Sequence, residues 1–273
     1  MIIIAEKLNG AIPSCAKAIA AKDEAYLKDM ATRQAESGAD FLDVHASVNT
    51  GEREVLKWMV ETVQNVTDCP IALDSPDAQV IVDLMPVCKV PGMFNSVNGT
   101  TEKIEVAFPV LAKPENSGWQ IMALLEGDPP IGIPKTAAAR IEVFEHIMKK
   151  ATEYGIDHGR FHIDPLIEMV CTADDGEGIS MVVEVMNYIR DNYPTVKISG
   201  AISNISFNLP ARKFVNQAFA ALAINAGMNS AVMDPLSEDL RAVIYAAEAM
   251  IGLDDMCMEY MTAYRAGIFG AKK

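Results

Sequence analysis

Two patterns alternate along the chain. Short apolar runs rich in β-branched residues fall at 2–6, 41–45, 70–74, 92–95, 119–125, 161–164, 197–203 and 230–234. They are continuous and not alternating, as expected of parallel strands covered on both faces. Between them lie stretches with helical apolar spacing, at 24–36, 52–66, 136–154 and 212–226, and a last one follows at 238–250. Gly38 and Gly155 stand where two of these helices should stop. Eight strands separated by helices predict a single (β/α)8 TIM barrel over residues 1–273, and that length suits a fold that typically takes about 250 residues. An open doubly wound sheet would show a Gly-rich fingerprint after its first strand, which the segment EKLNGAIPS does not supply.

The polar residues fall where the apolar runs stop. Glu6 and Asn9, Asp43 and His45, Asp74, Asn95, Asp164, Ser203 and Asn204, and Asp234 all stand at or just past a strand end. In a parallel barrel these ends share one face, the face that carries the chemistry of barrel enzymes. Asp234, before Pro235, reads as a helix N-cap, and Asp74 has a capping alternative for a helix starting near Asp77. Capping does not account for polar ends on strand after strand, so a site is expected there. Its inventory is carboxylates and amides, with Lys7 and Arg212 as the only cations close by. A phosphate would call for a Gly-rich helix start or clustered Arg and Lys. A metal held by Asp43, His45, Asp74 and Asp164 would draw single ligands from several strands, so no metal is expected. A neutral heterocycle with N–H donors fits better, because a carboxylate accepts two N–H bonds side by side.

Composition narrows the class. Half the residues are apolar, enough for a large core, and the 16 Met read as core filler. A net charge of −14 argues against nucleic acid, whose phosphates would be repelled. The five cysteines form no C-x-x-C pair and read as free thiols of a reducing compartment. No apolar run reaches the roughly 18 residues of a membrane span, and the first residues are too short a run for a signal segment. A soluble, cytoplasmic protein is expected.

The segments EKLNG (6–10), DFLDVHAS (40–47), IALDSPD (71–77), FNSVN (94–98), FHIDPLIEM (161–169) and GAISNISFNLPAR (200–212) carry a resemblance. In order and spacing the chain resembles the pterin-binding methyltransferases. These include methyltetrahydrofolate:corrinoid protein methyltransferases, the methyltransferase II components of O-demethylase systems, and the folate module of cobalamin-dependent methionine synthase. The resemblance implies a reduced folate as substrate, tetrahydrofolate or 5-methyltetrahydrofolate, with Asp74, Asn95 and Asp164 gripping the pterin ring. It places Asn204 near the folate N5, Asp43 beside that cluster, and Arg212 just after it; Glu6, Asn9 and Ser203 complete the binding set. Phe207 departs from the Gln of carbon-fixation relatives and matches the aromatic residue of the methionine synthase module.

Moving a methyl group from N5 to cobalt(I) makes an amine leave, so N5 needs a proton or a strong hydrogen bond in the transition state. Asn204 is placed to donate one, with Asp43 holding a water that takes up the N5 proton in the reverse direction. The corrinoid (cobalamin) should arrive on a separate protein that docks transiently, since the D-x-H-x-x-G cobalt-ligand pattern breaks at Val48. The rivals are a dihydropteroate synthase, which would need cations on its late strands, and a non-catalytic folate-binding subunit, which would need no Asn204. An apolar stretch at 256–269, left over once the barrel closes, suggests a homodimer interface or a cover for the barrel floor.

Overall fold

All eight apolar runs are strands in the computed structural model, which describes residues 1–48, 50–172 and 179–270. They are β1 (Ile2–Asn9), β2 (Phe41–His45), β3 (Ile71–Asp74), β4 (Met93–Gly99), β5 (Gln120–Gly127), β6 (Phe161–Asp164), β7 (Lys197–Ile198) and β8 (Ser230–Met233). Two helices follow β1, α1 (Pro13–Ala20) and α2 (Glu24–Glu36). One then follows each strand: α3 (Glu52–Val63), α4 (Ala78–Leu84), α5 (Thr101–Leu111), α6 (Ala137–Tyr154), α7 (Ser180–Asn192), α8 (Arg212–Ala226) and α9 (Glu238–Met250). A short α10 (Met258–Arg265) ends the described chain.

The strands pair in parallel in the order β7-β6-β5-β4-β3-β2-β1-β8. The last seam is closed by backbone bonds, Asn229 N–H to Ile198 O at 3.2 Å and Val232 N–H to Gly200 O at 3.0 Å. The result is a (β/α)8 barrel. Its main core lies between strands and helices, and a small cluster of Ile4, Ala72, Met93 and Met122 fills the barrel interior. Elsewhere in the interior a buried His162 bonds Ser230 Oγ at 2.8 Å. Burial and nearby Lys197 hold its imidazole down at about 3, so it stays neutral and structural.

The helix starts follow local chemistry. Asp77 caps α4 through the Gln79 N–H at 2.8 Å, and Thr136 caps α6 through the Ala139 N–H at 3.2 Å. Asp74 caps nothing. Asp234 is no cap either: α9 begins later and is capped by Ser237, whose Oγ accepts from Leu240 N. Asp234 instead closes the preceding turn through Leu236 N–H (2.9 Å) and meets Lys7 Nζ at 3.0 Å.

The seventh strand is shorter than the expected 197–203. Past Ser199 the backbone turns at Gly200, whose φ is +151°, in close approach to Ile167 in the loop after β6. A Cβ at Gly200 would lie 2.4 Å from Ile167 Cδ1. The chain then coils into a 3-10 turn over Ile202–Ser206, so Ser203 and Asn204 sit on a tight turn and not on a strand end. The helix expected over 52–66 stops at Val63. The methionines divide: Met59, Met93 and Met186 are core, whereas Met250 and Met256 are each 86% exposed on the outer surface of the last helices. The 256–269 stretch is anchored to α9 by Phe269, which is buried among Tyr245, Tyr260 and Tyr264.

Candidate active site

Two irregular strands shape the site. In β1 the register slips between Ala5 and Leu8, where the Lys7 N–H leaves the ladder to bond Gln34 Oε1 at 2.9 Å. A regular strand would point Glu6 and Lys7 to opposite faces; with this bulge both line the same cavity. In β4 the register slips between Asn95 and Val97, and Asn95 and Ser96 likewise both line it.

The cavity, about 810 Å³, opens at the C-terminal ends of the strands. It brings together the residues that the resemblance assigns to binding and catalysis: Glu6, Asn9, Asp43, Asp74, Asn95, Asp164, Ser203, Asn204 and Arg212 all line it. Met122, Leu124, Val232 and Met233 add apolar wall, suited to the faces of a flat ring. His45 is not among the lining residues. It sits opposite Asp74 across the β2–β3 pair, with Nδ1 3.6 Å from Asp74 Oδ2, too long for a hydrogen bond.

Several lining residues already have work within the fold. Asn95 donates from Nδ2 to Asp43 Oδ1 at 3.0 Å, and Ser203 Oγ donates to Glu6 Oε2 at 3.2 Å. Asn9 Oδ1 accepts the Ala11 N–H at 2.8 Å, closing the turn into α1. Arg212 braces the 3-10 turn, donating to Ser203 O at 2.8 Å and Ser206 Oγ at 3.0 Å, with its guanidinium 4.5 Å from the Phe207 ring centre. The Asn204 side-chain amide makes no hydrogen bond among the described residues.

The carboxylates resist ionisation. Burial, reinforced by the neighbouring Asp74, holds Asp43 well above the usual carboxylate range, although the Asn95 bond works the other way. Burial pushes Asp74 up to about 7, with Lys103 pulling it down and Glu52 pushing it up. Burial likewise pushes Asp164 up to about 6 against the Leu166 and Ile167 amides and the Arg140 charge. Glu6 is raised by burial, with Lys7 and Ser203 opposing. Such a set is poorly satisfied by the protein alone. It suits a ligand that brings paired N–H donors and little charge, each charge-assisted bond being worth roughly 1.5–3 kcal/mol.

The expectation of only two nearby cations needs correction. Lys213 also lines the cavity, and the Lys103 charge acts on Asp74 from the first turn of α5, because a single residue, Thr100, separates β4 from that helix. A Lys so soon after a strand end is a signal the sequence does carry. Arg140 is a further cation, and one that the strand-end pattern does not reveal: it lies on the apolar stripe of α6, between Ala137 and Phe144, and is completely buried. A lone Arg on such a stripe announces a buried polar partner.

A family description, pterin binding enzyme, matches residues 13–234. The chain belongs to the pterin-binding enzymes. Its sequence is 40% identical over 271 residues to "Methylcorrinoid:tetrahydrofolate methyltransferase" of Eubacterium limosum, covering 99% of this chain and 98% of that one. The barrel also resembles solved dihydropteroate synthases. That of Clostridium difficile, crystallised with pteroic acid, superposes with a TM-score of 0.64 at 17% identity over 92% of this chain and 96% of the other. That of Coxiella burnetii gives 0.62 at 16% identity over 93% and 92%. At those identities the superpositions establish the fold alone. Among the described residues no group of three or more His, Cys, Asp or Glu could hold a metal ion, and no helix is long and apolar enough to cross a membrane.

A pH dependence follows for the pterin-binding barrel. Folded Asp74 keeps its proton up to about 7, whereas the unfolded carboxyl loses it near 3.8. Between those values the unfolded chain sheds a proton that the fold retains, so the contribution of Asp74 falls as pH rises through the window and is flat on either side. Asp74→Asn removes that group. Relative to the native chain, the variant should gain stability between about pH 4 and about pH 7, measured by urea unfolding at both ends. A stability difference that is independent of pH would mean that Asp74 ionises normally.

Proposed function

We propose that the protein transfers a methyl group between N5 of tetrahydrofolate and the cobalt of a corrinoid carried by a separate protein. The observation that carries this reading is the cavity lining. Carboxylates and amides converge from the strand ends in a pterin-binding enzyme whose relative is a methylcorrinoid:tetrahydrofolate methyltransferase. The pterin edge offers an N–H and an exocyclic amine in the same direction, and an ionised Asp is the matching acceptor. Asp74, Asn95 and Asp164 are the residues we assign to that grip. Glu6, Asn9, Ser203 and Arg212 form the surrounding wall, with the Ser203–Glu6 bond and Arg212 bracing the 3-10 turn.

The name of that relative favours delivery of the methyl group to folate. In that direction the N5 lone pair attacks the methyl carbon, the cobalt–carbon bond breaks, and its electron pair stays on cobalt, taking cobalt(III) to cobalt(I). The N5 proton must leave. Water held by Asp43, which lines the cavity, is assigned to take it up. Asn204, on its tight turn and with an amide that makes no hydrogen bond among the described residues, is assigned to N5. It donates to the nitrogen as charge develops in the reverse step. One preorganised donor of this kind can be worth about 10²–10³ in rate.

The dihydropteroate synthase reading is weaker. Of the cations that line the cavity, Arg212 is occupied by Ser203 O, Ser206 Oγ and the Phe207 ring, Lys7 on β1 by Asp234, and Lys213 lies over the Phe214 ring with its Nζ 3.9 Å from Asp239 Oδ2. The resemblance to methyltransferase II components supports an O-demethylating system as the source of the methyl group and a cytoplasmic setting. The exposed Met250, Leu253, Met256 and Met258 support a homodimer built on the last helices.

Asp164→Asn should weaken tetrahydrofolate binding more than about tenfold by calorimetry, as for loss of a charge-assisted pair. Asn204→Ala should slow single-turnover methyl transfer by about 10²-fold while changing folate affinity much less. Unchanged affinity in the first variant, or equal losses of rate and affinity in the second, would overturn the assignments. Light scattering should give twice the 29.6 kDa chain mass, and a single chain mass would end the dimer proposal.

A further inference from the structure

Arg140 is an arginine with no exposed surface, and among the described residues its side-chain bonds run to the loop after β6 that follows Asp164 and to the segment that enters α6. From the buried face of α6 its Nε donates to Pro134 O at 3.1 Å, in the segment entering that helix. Its Nη1 donates to the carbonyls of Pro165 and of Leu166, the latter at 2.7 Å, and its Nη2 meets Glu168 Oε2 at 2.7 Å. Lys135 closes the arrangement from outside, 3.1 Å from Glu168 Oε1. The guanidinium therefore ties the loop after β5 to the loop after β6 with the planar fork that suits several acceptors at once.

The loop it holds would not be expected to hold itself. Leu166 stands at φ +65°, in the left-handed region that ordinary side chains avoid and that persists only where the surroundings impose it. In that conformation its N–H points back to Asp164 Oδ1, 2.8 Å away. That bond fixes one carboxyl oxygen against the backbone. A carboxylate has room for about four hydrogen bonds, so acceptor capacity remains toward the cavity that Asp164 lines. Gly200, past the end of β7, lies close against the same place, since a Cβ there would meet Ile167 as well as Asp164 Oδ1 at 3.4 Å.

We infer that Arg140 is a positioning residue for the pterin grip: by fastening the Pro165 and Leu166 carbonyls it sets the turn that aims the Asp164 carboxyl into the cavity. The inference rests on the reading that Asp164 binds the pterin. Arg140 touches no cavity surface itself and takes no part in methyl transfer. Its loss should therefore be felt in folate affinity and not in the rate once folate is bound.

The test is a double-mutant cycle on the full-length protein, with tetrahydrofolate as the calorimetric ligand. Arg140→Met should raise the folate Kd about tenfold, while single-turnover transfer at saturating folate stays within about twofold. Arg140→Lys, which keeps the charge but loses the fork, should show a smaller loss. In an Asp164→Asn background the same substitutions should cost little further affinity, because the group they aim is already blunted. If Asp164→Asn alone leaves affinity unchanged, the underlying site reading is wrong. If Asp164→Asn weakens binding but the Arg140 effect persists undiminished beside it, or is absent from the native background, the positioning role is wrong. Should Arg140→Met fail to fold, the cycle with Arg140→Lys separates the same outcomes.

Discussion

Carboxylates held out of water at one end of a barrel both repel one another and resist ionising, and much of this structure is arranged around that tension. Asp43, Asp74, Asp164 and Glu6 are all raised above the ordinary range, with burial as the leading cause in each. Burying charge is costly unless the charge finds partners. The fold supplies some: Asn95 for Asp43, Ser203 for Glu6, and the Leu166 amide for Asp164. The remaining acceptor capacity faces the cavity. On the proposed reading, a ligand edge with adjacent N–H donors completes the set and is recognised because it does so.

Geometry serves that electrostatic end. Bulges in β1 and β4 turn consecutive residues toward one cavity, so that two strands give more than their alternate positions would allow. Parallel register sets Asp74 directly beside Asn95, which in turn holds Asp43. Behind this layer stand cations that face the carboxylates indirectly. Lys103 moderates Asp74 from the start of α5, and Arg140 moderates Asp164 from α6 while pinning the loop that carries it. The 3-10 turn that carries Asn204 is braced by Arg212 at one end and by the Ser203–Glu6 bond at the other. The Asn204 amide, which makes no hydrogen bond among the described residues, is thereby presented on a braced support, as the donor role proposed for it would require.

Much of this was legible in the sequence because strands and strand ends leave strong local marks. Continuous apolar runs located all eight strands, and most of the polar residues that end them share a cavity. What escaped depends on three-dimensional placement. The early end of β7 follows from close approach at Gly200, and nothing in the composition of KISGAIS shows which neighbour it meets. Asp234 has the local look of a cap, yet the helix starts later at Ser237 and leaves Asp234 to Lys7. Arg140 lies well inside α6, away from the strand ends that mark the other site residues, whereas Lys103 follows the end of β4 closely enough to have been seen. The exposed methionines of the last helices could not be told from core methionines by residue type, since the same thioether fills gaps inside and adapts to partners outside.

The most direct test of the central claim is the proton balance of folate binding. If the pterin is gripped by carboxylates that are partly protonated in the free protein, binding must ionise them. Calorimetric titration of tetrahydrofolate at about pH 6.5, in two buffers of different ionisation enthalpy, counts the protons exchanged. The account predicts net proton release on binding, diminishing toward about pH 8 as the free carboxyls of Asp74 and Asp164 ionise on their own. Heats that do not depend on the buffer, or a net uptake of protons, would contradict it.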